Sequence, residues 1–219
     1  EGLAAGRRTP PKRITCDWQP GVRRFGWEEK PGYIYSFRTL SQVSPDILDL
    51  KPDYIYLPLQ EISDNADVIG SLIRKGVRIA AVLPRIAFDS EWEKLLGRLK
   101  KAKSAGVREL VCTNIGQPRL LRELGFGLRG DFGLNIMNSQ SIRALKEMGL
   151  GACTLSFEMT LPQIRDLSYT LPAEMIVYGR LPLMITENCV LRRLDGSGCP
   201  CDGGPVYITD KTGRSFPFI

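Results

Sequence analysis

Three cysteines near the end of the 219-residue sequence have a spacing that suits metal ligands. Cys199 and Cys201 form a Cys-x-Cys pair, and Cys189 precedes the pair by ten residues. Thiolates favour zinc or an iron–sulfur cluster. Structural zinc normally takes four ligands, so the fourth is expected from Cys16, Glu187, Asp202 or a part of the protein outside this sequence. A three-thiolate iron–sulfur cluster with one open iron is an alternative, as are free or redox-paired thiols.

Histidine is absent from the sequence. The chain alone therefore cannot build a Ser-His-Asp triad, a Cys-His pair or a histidine metal site. Cys112 and Cys153 lie within apolar segments and are predicted to be core residues.

A second set of candidate residues follows apolar, β-rich segments. We expect Glu158 to act as a base and Arg180 to bind a carboxylate or phosphate, with Asn135 and Asn138 beside them. Helix capping is the alternative role for Asn135 and Asn138, because a helix is predicted to start at Ser139. Four further residues complete this predicted rim: Gln60, Arg85, Asn114 and Ser156.

The elements that would position these residues alternate between strand-like and helix-like segments. The predicted strands are Tyr33–Phe37, Asp53–Leu57, Arg78–Leu83, Glu109–Thr113, Gly133–Ile136, Ala152–Ser156 and Met175–Tyr178. Helix-like stretches separate most of them, which indicates parallel strands joined by crossover helices. No Gly-x-Gly-x-x-Gly follows the first strand, which disfavours a dinucleotide-binding sheet. The sequence therefore predicts an α/β fold, a parallel (β/α) TIM-type barrel with about seven strands visible.

Three regions follow from this pattern. Residues 1–32 form a basic, loop-rich lead-in, residues 33–180 form the barrel, and residues 181–219 form a cysteine-bearing loop and a β-hairpin that turns at Asp210–Gly213. The first residues lack an initiator Met and a hydrophobic signal core, so we expect a piece of a longer, cytoplasmic polypeptide whose other domains are its partners. No apolar run is long enough to span a membrane.

The net charge is +6, and residues 7–30 supply much of it with seven basic and three acidic side chains. Such a segment can contact the phosphate backbone of RNA. A solvated basic linker is the alternative interpretation.

Several motifs resemble a known family. They are Gly133-Leu-Asn-Ile-Met-Asn-Ser139, Thr154-Leu-Ser-Phe-Glu158, the block from Glu174 to Cys189, and the closing Cys-Pro-Cys with Ile-Thr-Asp-Lys-Thr-Gly-Arg-Ser-Phe-Pro. Together they resemble the bacterial collagenase-like peptidases, peptidase family U-thirty-two, over roughly residues 50–219. The closing motif is similar to the end of the longer, multi-domain members.

This resemblance implies two kinds of activity. The family name implies proteolysis, whereas other members hydroxylate RNA or take part in oxygen-independent quinone hydroxylation with a four-iron–four-sulfur cluster on four cysteines. In this sequence the first cluster cysteine falls on Pro182 and the glycine before the second falls on Glu187. Cys189 matches the second cysteine, and Cys199 or Cys201 the third.

Three functions therefore stay open at this point. We favour a metal- or iron–sulfur-dependent enzyme that modifies RNA or a small aromatic substrate. The alternatives are a non-catalytic accessory barrel with a structural metal, and a peptidase in which Glu158 would work with a metal-bound water.

Overall fold

A computed structural model describes residues 31–182, 184–185 and 206–218. Seven strands form one parallel sheet in sequential order. They are β1 (Ile34–Ser36), β2 (Tyr54–Pro58), β3 (Ile79–Val82), β4 (Glu109–Cys112), β5 (Gly127–Gly130), β6 (Ala152–Thr154) and β7 (Ala173–Glu174). Each strand pairs in parallel with the next. The predicted parallel α/β barrel architecture is confirmed as a curled half-barrel with flanking helices.

A contact between distant strands demonstrates the curl of the sheet. Tyr56 on β2 donates its hydroxyl hydrogen to Glu174 Oε1 on β7 over 2.8 Å. Five strand spacings separate β2 from β7, which is about 24 Å in a flat sheet. The face that carries Tyr56 and Glu174 is therefore concave.

Helices follow most strands. They are α1 (Pro45–Asp49), α2 (Leu59–Asp64), α3 (Ala66–Arg74), α4 (Trp92–Ser104), α5 (Gln117–Leu121), α6 (Ser139–Glu147) and α7 (Leu161–Arg165). Shortly after α3, α4 and α6 lie Gly76, Gly106 and Gly149, whose φ angles are +91°, +101° and +91°. This left-handed conformation suits glycine and ends a helix. In each case the next strand starts three residues later.

The two faces of the sheet bury different side chains because neighbouring strand residues point in opposite directions. Ile55, Leu57, Leu110 and Cys153 belong to the large apolar core that also includes helix residues such as Leu99. Tyr54, Tyr56, Ala80 and Val111 form the smaller cluster on the concave face.

Two predicted strands are wrong in position. The fifth strand is Gly127–Gly130 rather than Gly133–Ile136; residues Phe132–Leu134 form a 3-10 helix, and Ile136 makes a single bridge to Leu155. The seventh is Ala173–Glu174 rather than Met175–Tyr178. In both cases the true strand carries a charged residue, Arg129 or Glu174, that an apolar pattern does not select. Helix α2 was also missed, and Gln60 lies within it.

Contacts divide the chain into two compact units, with the boundary between Val177 and Tyr178. In the second unit, β8 (Val206–Thr209) pairs antiparallel with β9 (Ser215–Phe218), which confirms the predicted hairpin. Asp210 Oδ1 accepts hydrogen bonds from the backbone N–H groups of Thr212 and Arg214 over 2.8 and 2.9 Å, so the turn lies where the sequence predicts it. Within the described ranges, no helix has both the length and the apolar character that crossing a membrane requires.

Candidate functional site at the carboxyl ends of the strands

An ion pair lies at the carboxyl end of the sheet, where parallel barrels place their working residues. Asp131 is the first residue after β5, and its backbone N–H donates to the carbonyl of Cys112 at the end of β4 over 2.8 Å. Arg85 follows β3, and its Nη2 lies 3.7 Å from Asp131 Oδ2. The Asp131 side chain is 17% exposed and the Arg85 side chain 33%. The pair thus joins the ends of β3 and β5.

Burial raises the pKa of Asp131, and the nearby charge of Glu174 adds to the effect. Hydrogen bonds from the backbone N–H groups of Phe132 and Gly133 lower this pKa, as does the Arg85 guanidinium, but the net shift remains upward. A carboxylate whose pKa is raised is a stronger base than an ordinary surface carboxylate, and such groups are often found at functional sites.

Aromatic side chains border the ion pair. The rings of Phe132 and Phe157 meet edge to face, with centroids 5.9 Å apart, and the Arg85 guanidinium carbon lies 5.1 Å from the Phe132 centroid. Phe157 is 49% exposed. Gly133 permits this packing, because a Cβ there would lie 2.5 Å from Arg85 Nη2. Phe157 offers a surface on which a planar ring can stack, next to a guanidinium that can bind an anion.

Two residues of the predicted rim support this group. Asn114 Nδ2 donates to the Arg85 carbonyl over 3.4 Å, and its Oδ1 accepts from the N–H of Gly116 over 2.8 Å. Buried Ser156 donates its N–H to the carbonyl of Ile136 over 2.9 Å. Both residues hold the loops that carry the Arg85 and Phe157 side chains.

Asn138 caps the start of α6, as the alternative interpretation expected, whereas Asn135 ends the 3-10 helix Phe132–Leu134. Asn138 Oδ1 accepts hydrogen bonds from Ser141 N over 2.9 Å and from Ser141 Oγ over 3.2 Å, so Asn138 is the N-cap of α6. Asn135 has a φ of 51°, which asparagine tolerates better than most residues. These local roles explain both residues, and a catalytic role for either stays a prediction.

Glu158 is exposed in the turn that follows β6. In the part of the sheet unit that the structure describes, no hydrogen bond or ion pair joins Glu158 to Asn135 or Asn138. Arg180 is exposed and belongs to the second unit. The catalytic assignment of Glu158 and Arg180 therefore stays a prediction.

The predicted metal ligands Cys189, Cys199 and Cys201 lie outside the described residues. The described ranges themselves contain no group of three or more Cys, Asp or Glu side chains that could hold a metal ion. Cys112 and Cys153 are buried free thiols, which confirms them as core residues. Burial raises the pKa of Cys112 to about 12 and, with the charge of Glu174, that of Cys153 to about 11. Neither thiol is suited to nucleophilic or ligand chemistry.

A separate ion network, which sequence reasoning missed, lies on the concave face. Arg129 Nη1 lies 2.8 Å from Glu109 Oε2, and Arg129 Nη2 lies 2.7 Å from Glu174 Oε1. Arg129 Nε donates to the hydroxyl of Tyr56 over 2.6 Å, while Thr154 Oγ1 donates to Glu174 Oε2 over 3.0 Å. The signal in the sequence was the presence of Glu109 and Glu174 in or beside predicted strands.

The network is fully paired and ties the strands together. Burial, and next the charge of Glu174, raise the pKa of Tyr56, so its phenol stays protonated and donates to that carboxylate. The guanidinium carbons of Arg78 and Arg129 lie 4.1 and 4.4 Å from the Tyr54 ring centroid. No buried side-chain nitrogen or oxygen in the described part of the chain lacks a hydrogen-bond partner. We therefore assign this Arg129 network to the stability of the curled sheet.

Comparisons with known proteins identify the family to which this chain belongs. Among solved structures, the U32 peptidase Mk0906 is similar with a TM-score of 0.51 and 12% sequence identity, over 72% of this chain and 73% of that chain. At this identity the likeness establishes the fold alone. A search of curated protein sequences finds no match. The sequence profile described as Peptidase family U32 matches residues 60–198, which is more than half of the chain. The chain therefore belongs to peptidase family U32.

Proposed function

We propose that this U32 domain is part of a metal- or iron–sulfur-dependent enzyme that modifies RNA or a small aromatic substrate by a hydroxylation-type reaction. The observation that carries the proposal is the group at the carboxyl ends of the strands. It combines a carboxyl group of raised proton affinity, a guanidinium and an exposed aromatic ring. These three features suit a planar ring that bears, or lies next to, an anionic group.

Each residue of this group has one role in the proposal. Phe157 stacks on the ring of the substrate, Arg85 binds its anionic group, and Asp131 accepts or returns a proton. Glu158, exposed in the turn after β6, is a second candidate base.

The metal or cluster would be held by Cys189, Cys199 and Cys201. Their thiols are donors that suit zinc or iron–sulfur centres, and the chain leaves the sheet at the carboxyl end of β7, fifteen residues before Cys189. When bound, such a centre would supply redox or Lewis-acid chemistry. We further propose that the domain works in the cytoplasm with other domains of a longer protein as its partners.

Metal analysis tests the cofactor. The full chain is purified without air, and its iron, acid-labile sulfide, zinc and visible spectrum are measured beside those of Cys189→Ala. Cys153→Ala is the control, because this thiol is buried in the core. Iron and sulfide that disappear in Cys189→Ala but persist in Cys153→Ala would support the proposal, whereas protein without any metal would contradict it.

An assay of enzymatic activity tests the proposed role of the rim residues. Asp131→Asn should abolish modification of RNA or of an aromatic substrate and leave the metal content unchanged. Modification that persists at the wild-type rate in this variant would refute the role of Asp131.

A non-catalytic accessory barrel is the second candidate. Two observations favour it, because both give polar residues a structural role. The ion network on the concave face is fully paired, and Asn138 caps a helix. Zinc alone, with no modified product, would select this function. A peptidase would instead be indicated by gelatin cleavage that Glu158→Gln abolishes.

A further inference from the structure

A basic groove runs between α3 and α4, on the outer side of the sheet unit. Its volume is about 410 Å³, and its lining includes Arg74 from α3 and Lys100, Lys101 and Ser104 from α4. These residues lie near the C-terminal ends of their helices. Five residues after Arg74 and after Ser104, the chain starts β3 and β4. The lining also includes Ala66 and Asp67 in the first turn of α3, so the groove extends along the whole of this helix. Its basic side chains lie at the end that is nearer the amino ends of the strands.

Three of the side chains that line the groove, those of Arg74, Lys100 and Lys101, are basic. From Lys94 to Arg108 the sequence contains six basic residues and no acidic one. Lys103 and Arg108 donate to backbone carbonyls, whereas no ion pair within the described ranges engages Lys100 or Lys101. One acidic residue, Asp67, also lines the groove.

The groove depends on close packing of the two helices. A Cβ on Gly70 would lie 3.3 Å from the carbonyl oxygen of Ala105 and 3.3 Å from Arg74 Nη1. The absence of a side chain at residue 70 therefore leaves room for Arg74 to lie along the junction. The groove therefore has small residues, Gly70 and Ala105, between its charged side chains.

We propose that this α3–α4 groove binds the phosphate backbone of single-stranded RNA. Cationic grooves that follow a backbone are a general means of binding single strands. The choice of RNA rests on the proposed function, whereas the cationic groove does not. Substrate RNA would be anchored here and would present its reacting base at the opposite end of the sheet.

The surface is less suited to a membrane. A helix that binds a lipid surface inserts an exposed apolar face beside its basic one. The apolar residues of α4 are instead buried in the core (Leu95, Leu99 and Ala102) or packed against it (Trp92 and Leu96).

The test measures binding by the full chain in the absence of any reaction. The probe is a fluorescein-labelled oligouridine of about 16 nucleotides, whose anisotropy is followed at several salt concentrations. The test variant is Lys100→Gln with Lys101→Gln. The control variant, Arg119→Gln with Lys146→Gln, removes the same charge from α5 and α6. Glutamine retains a high helix propensity, so both variants should fold.

The expected effect follows from counterion release. Each phosphate contact contributes about 0.7 to the slope of log K against log salt for a single strand, which is about 5-fold in affinity at roughly 0.1 M salt. The test variant should therefore lose about 25-fold in affinity and about 1.4 in slope, and the control variant should match the wild type.

Two outcomes would overturn the proposal. One is an equal loss in the two variants, which would assign binding to net charge alone. The other is a wild-type chain that binds phosphatidylserine vesicles but not oligouridine. Neither outcome bears on the role of Asp131, because the Asp131→Asn variant is tested by product formation. Conversely, an Asp131→Asn variant that loses activity but still binds oligouridine would be consistent with the proposed groove.

Discussion

Replacing Arg129 with methionine should destabilise the sheet unit far more than an ordinary surface ion-pair mutation. The substitution leaves Glu109 and Glu174 without the cation that lies 2.8 and 2.7 Å from their oxygens. The Arg129 and Glu174 side chains are each only 15% exposed, so water cannot readily replace the lost partner. Removing one member of a buried ion pair costs about 3–5 kcal/mol. Methionine keeps much of the side-chain volume, so little of the loss should come from a cavity.

The chain offers a matched control for this measurement. Arg143 and Glu147 form an ion pair on α6 with a 3.1 Å separation, and their side chains are 65% and 67% exposed. Arg143→Met should cost only about 0.3–0.5 kcal/mol, the usual contribution of an exposed helical pair. Urea denaturation followed by far-UV circular dichroism gives the free energy of unfolding of both variants, since helices α1 to α7 lie in the sheet unit.

A compensating variant tests the physical reason. If uncompensated charge causes the loss, then adding Glu109→Gln and Glu174→Gln to Arg129→Met should restore most of the stability, because a neutral polar group is less costly to bury than a charge. Equal losses for Arg129→Met and Arg143→Met would refute the reasoning. So would a triple variant that is less stable than Arg129→Met alone.

Three further predictions concern the rim and the core. Asn138→Ala should lower the free energy of unfolding by about 1 kcal/mol through loss of the α6 N-cap, and Asn138→Ser should restore it; an unchanged urea midpoint in Asn138→Ala would contradict the cap. Cys112 and Cys153 should resist alkylation in the native protein at mildly alkaline pH, because burial raises their pKa values to about 12 and about 11. Both thiols should react once the protein is unfolded. Labelling of either cysteine in the native protein, detected by peptide mass spectrometry, would contradict their burial. Asp131→Asn should raise the melting temperature at neutral pH. Burial raises the pKa of Asp131 in the folded state, so the contribution of this carboxyl group to stability is most favourable below its unfolded pKa of about 4. That contribution is lost as the pH rises through the folded-state pKa. The gain should disappear in acid, and a variant that melts lower than the wild type at neutral pH would show that the ion pair with Arg85 outweighs burial.

The fold could be predicted because its signals are local. Apolar runs mark β2, β3, β4 and β6, and the glycines at residues 76, 106 and 149 mark helix ends that need a positive φ. These signals alternate along the chain, and that alternation is enough to indicate parallel strands with crossover helices.

The site was harder to predict because one strand is polar. β5 has the sequence Gly-Leu-Arg-Gly, and its single large apolar residue, Leu128, faces the helices. Arg129 faces the concave side, where its partners Glu109 and Glu174 come from two other strands, 20 and 45 residues away in sequence. The apolar pattern places the fifth strand six residues too late, and it therefore assigns Asn135 and Asn138 to the carboxyl end of that strand. The correct strand puts Asp131 there instead.

The two ionic groups of the sheet differ in how completely they are paired, and this difference suggests their roles. Arg129 has two carboxylate oxygens within 2.8 Å and a phenol oxygen at 2.6 Å, so its charge is compensated and its position is fixed. Asp131 has its cation at 3.7 Å, and burial still raises its pKa. A protein that keeps a carboxyl group in such an unfavourable setting loses stability, and such losses are typical of residues retained for function. The rim around Asp131, rather than the concave network, is therefore where chemistry should be sought.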